Sequence, residues 1–219
     1  MRALDRKLIR DLRQIWVQCT AIALVLGCGI MVLILSSGTQ SSLLTMRAEY
    51  YERARFADVF ATLTRAPRSL LQDIAAIDGV ARVEGRVVFP AMIDLLGKDE
   101  PASARMISVP QSGLPVLNVP ILRSGRMPNP DRLAEAAVSE AFAQANGLGP
   151  GDTLRAVLNG QMRSLVVTGV VISPEYIYTV GSGAMQPDDD NFGILWIGER
   201  AATAATDLDG AFDDVALTL

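Results

Sequence analysis

The sequence predicts an α+β protein built from one N-terminal transmembrane helix, a helical stalk and a mixed α+β extracytoplasmic domain. Three observations carry this. Ile15 to Leu35 is an uncharged run of 21 residues, 11 of them Ile, Leu or Val. Beyond it, short alternating segments interleave with short helical ones, beginning β-α-β. Asn159 and Gly160 then lie between two alternating runs and supply the two positive φ angles of a type I′ hairpin turn.

The apolar run decides the first element. The chain has 219 residues, 50% of them hydrophobic, and a mean hydropathy of +0.28, too apolar for a soluble domain unless one segment concentrates the excess. As a helix, Ile15 to Leu35 spans about 31 Å, close to the ~30 Å hydrocarbon core of a bilayer. Its aliphatic side chains favour insertion by about 5 kcal/mol. Arg2, Arg6, Lys7, Arg10 and Arg13 precede it against only Asp5 and Asp11, while Ser36 to Met46 carries no charge. The positive-inside rule therefore predicts a cytoplasmic N-terminus at 1–14, a span at 15–35 and everything later outside. Trp16 sits where an interfacial aromatic would.

Val25, Leu26, Gly27 and Cys28 also resemble a lipoprotein processing box, in which the chain is cut before a lipidated cysteine. A cleaved signal has an apolar core of about 7 to 15 residues ending at its processing site. Here "GIMVLIL" continues the apolar run past Cys28. That continuation favours the uncleaved helix.

The remaining elements follow in order. Ser41 to Arg55 has little Gly or Pro to stop it and reads as a continuing helix, giving a stalk over 36–56 and an outer domain over 57–219. "ADVFATL" alternates as a strand, and "PRSLLQDIAAI" places Leu70, Leu71, Ile74 and Ile77 on one helical face closed by Gly79. "VARVEGRVVFPAMIDLL" and "ARMISV" read as further strands. Residues 110–130 hold five of the eleven prolines and read as an ordered connection around "LRSGRMP". "AAVS" is a short strand or a first helical turn, "EAFAQANGL" a helix ended by Gly147, and "DTLRAVLNGQMRSLVVTGVVI" the hairpin. "GILWI" strand, "ERAATAATDL" helix and "DDVALTL" strand complete the chain.

Composition excludes several chemistries. The net charge is −4, and beyond residue 35 there are 15 basic against 22 acidic residues. Such an exterior does not suit nucleic acid, whose phosphates require basic patches. Both cysteines, Cys19 and Cys28, fall in the span, so the outer domain has no disulfide to rely on. With no histidine, Ser/His/Asp and Cys/His catalysis and histidine metal sites are absent together. The expectation is a protein that is not an enzyme and holds no cofactor or metal.

Several stretches are candidate sites. "GLGPGD" follows a helix and precedes a strand, the reverse of a phosphate-cradling loop, and reads as a helix stop plus turn. "PDDDN" lacks the spacing and terminal Glu of a calcium loop and reads as a solvated acidic loop. "SPEYIYTVGSG" puts Glu175, Tyr176 and Tyr178 after a buried strand; they either meet a partner or fold back onto the sheet, and both readings stand. In the span, Cys19, Ala23 and Gly27 recur every four residues with Thr20 beside them, a small-residue face for packing on another helix.

Taken together, "YYERARFADVFATLTRAP", "GRMP", "AAVSEAFAQANGLGPGD", the "LNG" hairpin ending in "GVVISPEYIY", "FGILWIGERAA" and "LDGAFDDVALTL" resemble the FtsX-like ABC transporter permeases. More narrowly, they resemble the first membrane helix plus the MacB-like periplasmic core domain of such a permease. The resemblance implies a separate cytoplasmic ABC ATPase subunit, a homodimer or heterodimer of permeases in a bacterial inner membrane, and cargo among lipids, lipoproteins, peptides and drugs. It implies no catalytic or cofactor residues in this domain. Family members have at least four membrane helices, so a chain reaching only Leu219 is expected to be the N-terminal portion of a permease or a truncated one. The alternative is a single-pass, membrane-anchored binding or scaffold module that never transports.

Overall fold

The computed structural model describes residues 7, 10, 14–95, 97–98, 100–181 and 186–219. Of the basic N-terminus expected at 1–14, all but residues 7, 10 and 14 lie outside the described residues. The chain divides into two compact units, Met1–Glu49 and Tyr50–Leu219, each described by itself.

Helix α1, Trp16–Arg53, runs 38 residues without a break and buries none of them. Leu24, Val25 and Leu33 are each 65% exposed or more. Over residues 16–35 the helix is apolar all round, a surface that a bilayer would stabilise. Among the described residues it is the one helix long and apolar enough to cross a membrane. The polar stretch beyond Leu35 does not end it, because hydroxyls close onto the helix itself: Ser37 Oγ donates to the Ile34 carbonyl at 3.1 Å and Thr45 Oγ1 to that of Ser41 at 3.0 Å.

In the second unit, α1 closes as a Schellman motif. The Phe56 N–H donates to the Tyr51 carbonyl and the Arg55 N–H to that of Glu52, with Arg55 left-handed at φ 50°. The Tyr51 and Phe56 rings stack at 4.7 Å, supplying the apolar contact that accompanies this motif.

Two sheets follow. The first has order β1-β10-β2, from strands Val59–Pro67, Ala211–Thr218 and Arg82–Arg86, all antiparallel. Helix α2, Leu70–Ala75, supplies Leu71, which with Ile74 packs against Phe212, Val215 and Ala66. The second sheet has seven strands: β3 Val88–Asp94, β4 Ala102–Val109, β5 Ile121–Gly125, β6 Glu135–Ser139, β7 Thr153–Leu158, β8 Gln161–Ile172 and β9 Phe192–Gly198. Its order is β5-β8-β6-β9-β4-β3-β7, and β7 also pairs with β8, so the sheet curls back on itself. Helices α3, Glu140–Ala145, and α4, Glu199–Thr206, pack through Phe142, Ala143, Ala201 and Ala202 onto Met106, Val138, Leu195 and Ile197.

The sequence run from residue 80 to 96 reads continuously as strand, yet it serves both sheets. The switch is Val87, fully buried, whose N–H reaches Ser108 Oγ and whose carbonyl accepts the Ser108 N–H, both at 2.9 Å. "AAVS" resolves as β6, a central strand with Ala136, Ala137 and Val138 fully buried. Asn159 and Gly160 take φ of 50° and 70° at the hairpin between Leu158 and Gln161, as a type I′ turn requires.

Candidate functional site

Glu84 and Arg86 lie two apart on β2 and therefore on one face. Asp214 is the direct cross-strand partner of Arg86 on β10. The Arg86 guanidinium donates to Asp214 Oδ1 through Nε at 2.8 Å and Nη2 at 2.5 Å, and to both Glu175 carboxylate oxygens at 2.5 and 3.0 Å. Arg86 is only 5% exposed. Burial opposes its charge, but the hydrogen-bonded Glu175 and the Asp214 carboxylate outweigh that, and its pKa rises. A buried guanidinium left with no such partner would cost several kcal/mol, so arginine and carboxylates must be present together.

Asn118 extends the network to the end of α1. Its Nδ2 donates to Glu175 Oε2 at 3.0 Å, and its Oδ1 accepts the Ala57 N–H at 2.9 Å. Its own N–H donates to the Arg55 carbonyl, and the Val119 N–H to that of Ala54. Beside it, Glu84 accepts the Leu117 N–H at 2.7 Å. Burial pushes the Glu84 carboxyl up, against backbone hydrogen bonds from Leu117 and Val116.

The three residues singled out after β8 take different places. Glu175 turns inward to Arg86 and Asn118. Tyr176 is half-buried, its ring edge-on to Trp196 at 6.3 Å with the Arg105 guanidinium 6.0 Å from its centroid. Burial and the Glu175 charge raise its phenol pKa. Tyr178 and its neighbour Ile177 point out, 75% and 61% exposed. Phe56, Phe60, Phe89, Tyr176, Phe192 and Arg105 are among the residues lining an open groove of about 600 Å³. Five of the chain's 12 aromatic residues thus meet in one place, a surface suited to an apolar group.

The other stretches also resolve. In "GRMP", Arg126 holds Glu135 through two 2.7 Å bonds, and the Asn129 N–H adds a third at 2.9 Å. These hydrogen bonds, Arg126's first, outweigh burial and hold the Glu135 carboxyl at about 2. They fasten the turn-rich connection to the start of β6. In "GLGPGD", Asp152 Oδ2 accepts the Gly149 N–H at 2.7 Å and closes the turn on itself. Asp188 bonds Asn191, and Asp190 meets Lys98. Among the described residues no group of three or more acidic or cysteine side chains is placed to hold a metal. Cys19, Thr20, Ala23 and Gly27 are all exposed on α1, with Thr20 Oγ1 donating to the Trp16 carbonyl at 2.8 Å.

Arg86 and Asn118 were not singled out by the sequence. The spacing of Glu84 and Arg86, two charges on one strand face within an apolar run, was the signal available for the first. For Asn118 there was none, since its partners lie 61 and 57 residues away.

The sequence model of the MacB-like periplasmic core domain matches residues 19–214. No curated protein matches the chain. Among solved structures, the extracellular domain of the noncanonic ABC-type transporter YknZ from Gram-positive bacteria is 12% identical with a TM-score of 0.48, over 73% of this chain and 81% of its own. The periplasmic region of MacB from Actinobacillus actinomycetemcomitans is 14% identical at 0.42, over 70% of this chain and 64% of its own. A domain of a permease protein from Porphyromonas gingivalis is 13% identical at 0.41, over 76% and 64%.

Proposed function

The chain belongs to the family of the MacB-like periplasmic core domain, and from that premise we propose that it is the N-terminal portion of an FtsX-type ABC transporter permease that turns ATP-driven motion into movement of its outer domain. Residues 1–14 are then cytoplasmic, 15–35 cross the inner membrane, 36–56 form the stalk and 57–219 work in the periplasm. Its partners are a separate cytoplasmic ABC ATPase and a second permease, identical or related, and its cargo is a lipid, lipoprotein, peptide or drug for export or release. The domain itself performs no chemical step.

The observation that carries this reading is the unbroken helix from Trp16 to Arg53. At 1.5 Å per residue it is about 57 Å long, nearly twice the ~30 Å of a bilayer's hydrocarbon core. A helix is stiff along its axis because each backbone group bonds within it, so displacement at one end arrives at the other. A binding module needs only an anchor and a flexible tether; here the rod continues.

The test uses the full permease purified with its ATPase from native membranes. With Cys19 and Cys28 replaced by serine, a single cysteine at Ser41 reports cross-linking between neighbouring permeases. ATP is expected to change the yield relative to ADP. A yield blind to nucleotide, or a chain released from the membrane by alkaline wash, would overturn the proposal.

A further inference from the structure

We propose that Asn118 is the positioning residue that couples the end of α1 to the exposed loop after β8, so that displacement at residues 54–57 is felt at Ile177 and Tyr178. This deepens the proposed function and rests on its reading of α1 as a moving rod. The Asn118 amide has one orientation only. An N–H from Ala57 requires an oxygen and the Glu175 carboxylate requires a donor, so Oδ1 faces the helix exit and Nδ2 faces the loop.

On the helix side, the Asn118 and Val119 N–H groups donate to the Arg55 and Ala54 carbonyls, and Asn118 Oδ1 accepts the Ala57 N–H. They grip the first residues beyond α1 from a segment only 4% exposed at Asn118. On the loop side, Glu175 is fixed to Arg86, which Asp214 holds in turn. The loop's own local bonds are long: the Glu175 N–H to Ser173 Oγ and the Tyr176 N–H to the Ser173 carbonyl, both at 3.3 Å. Its position therefore depends on where the Glu175 and Tyr176 side chains are held. A shift of residues 54–57 either carries Glu175 with it or breaks a hydrogen bond in the chain that leads to this partly buried charge.

Only asparagine fits this position. Its backbone is left-handed at φ 49°, a conformation that Asn and Gly adopt most readily. Glycine lacks the amide. Aspartate accepts from Ala57 but has nothing to donate to Glu175.

The test is amide hydrogen exchange on the full chain in lipid nanodiscs, comparing residues 54–57 with 173–181. Arg55→Val forces a β-branched residue into the left-handed helix end and disturbs the exit directly. With Asn118 present it is expected to speed exchange in 173–181 by about tenfold, the size of one hydrogen bond to a charged group. With Asn118→Asp, 173–181 already exchanges fast and Arg55→Val adds nothing there. Asn118→Gly keeps the backbone conformation, deletes only the side-chain bonds and uncouples as Asn118→Asp does.

A response to Arg55→Val that is the same with Asn118→Gly as with Asn118 overturns the proposal. So does exchange in 173–181 of Asn118→Asp that is no faster than in the parent while β9 remains as protected. Protease protection of the same nanodiscs reads the membrane span separately. A chain that fails to insert there sinks the rod while leaving the exchange comparison intact.

Discussion

The two sheets of the outer unit lean on different materials at their centres. The curled sheet is held by apolar side chains: Met106, Leu195, Ile197 and Phe142 are fully buried in one cluster. The three-stranded sheet has apolar packing on Phe212 and Val215, but it also carries Glu84, Arg86 and Asp214, each 9% exposed or less. Apolar contact is nondirectional and scales with area, so it favours compactness without choosing one arrangement. A guanidinium shared by two carboxylates has few geometries, so it fixes where β2, β10 and the loop at Glu175 stand.

If that contrast is real, the largest loss comes from removing the charge at its centre. Arg86→Met leaves two carboxylates facing apolar surroundings and is expected to cost about 3–5 kcal/mol. Denaturant unfolding of the full chain in detergent measures it. Adding Glu175→Gln and Asp214→Asn removes the stranded charges and recovers most of the loss. A cost below about 1 kcal/mol for Arg86→Met alone, the value of an exposed pair, would erase the distinction between the sheets.

Leu195→Ala tests the other side. Leu195 sits on β9, between β6 and β4, with its side chain fully buried in the cluster of Phe142 and Ala202, and its loss is expected to cost about 2–4 kcal/mol through lost contact and the cavity left behind. Because no charge is involved, the cost is the same in low and high salt. A salt-dependent cost would mean that the apolar cluster around Leu195 also leans on ion pairs.

How far the sequence shows this depends on the range of each contact. The hairpin was legible because Asn159 and Gly160 dictate their own φ angles, and the helix was legible because its apolar run is contiguous. The long strand reading at 80–96 captured both β2 and β3 but not the sheet switch at Val87, whose cause is Ser108, 21 residues on. Arg86 and Asp214 are 128 residues apart. No local period joins them, and only the pairing of the last strand against β2 brings them together.

Acid sharpens the comparison further, since carboxylates in the two regions shift in opposite senses. Glu135, at the edge of β6, is held at about 2 by Arg126. Its contribution is present above the unfolded carboxylate value of about 4.3 and is lost as pH falls toward about 2. Glu84 is raised by burial. Its contribution has the other sign, full below the unfolded value and lost as pH rises through the folded one. Glu135→Gln should therefore flatten the acid limb of a stability–pH curve. Glu84→Gln, which keeps an acceptor for Leu117, should not lower stability at neutral pH and should lose any advantage on acidification. Parallel changes in both curves would show that burial and pairing were not the causes.

The smallest effect comes from the two left-handed residues that face each other at the helix exit, Arg55 and Asn118, with φ of 50° and 49°. Their backbones meet through the Asn118 N–H and the Arg55 carbonyl. Arg55 is exposed and occupies a position where glycine is the usual residue. Arg55→Gly relieves the left-handed cost of about 1 kcal/mol, partly offset by the extra freedom glycine brings to the unfolded chain, for a net gain of a few tenths of a kcal/mol. Asn118→Gly makes the same backbone exchange but strips the bonds to Ala57 and Glu175, so it destabilises by about 1–3 kcal/mol. Identical backbone geometry with opposite outcomes separates conformational strain from side-chain function, and unfolding midpoints of the two variants measured side by side read the difference. A gain for Asn118→Gly as well as for Arg55→Gly would show that the Asn118 amide contributes nothing a glycine cannot replace.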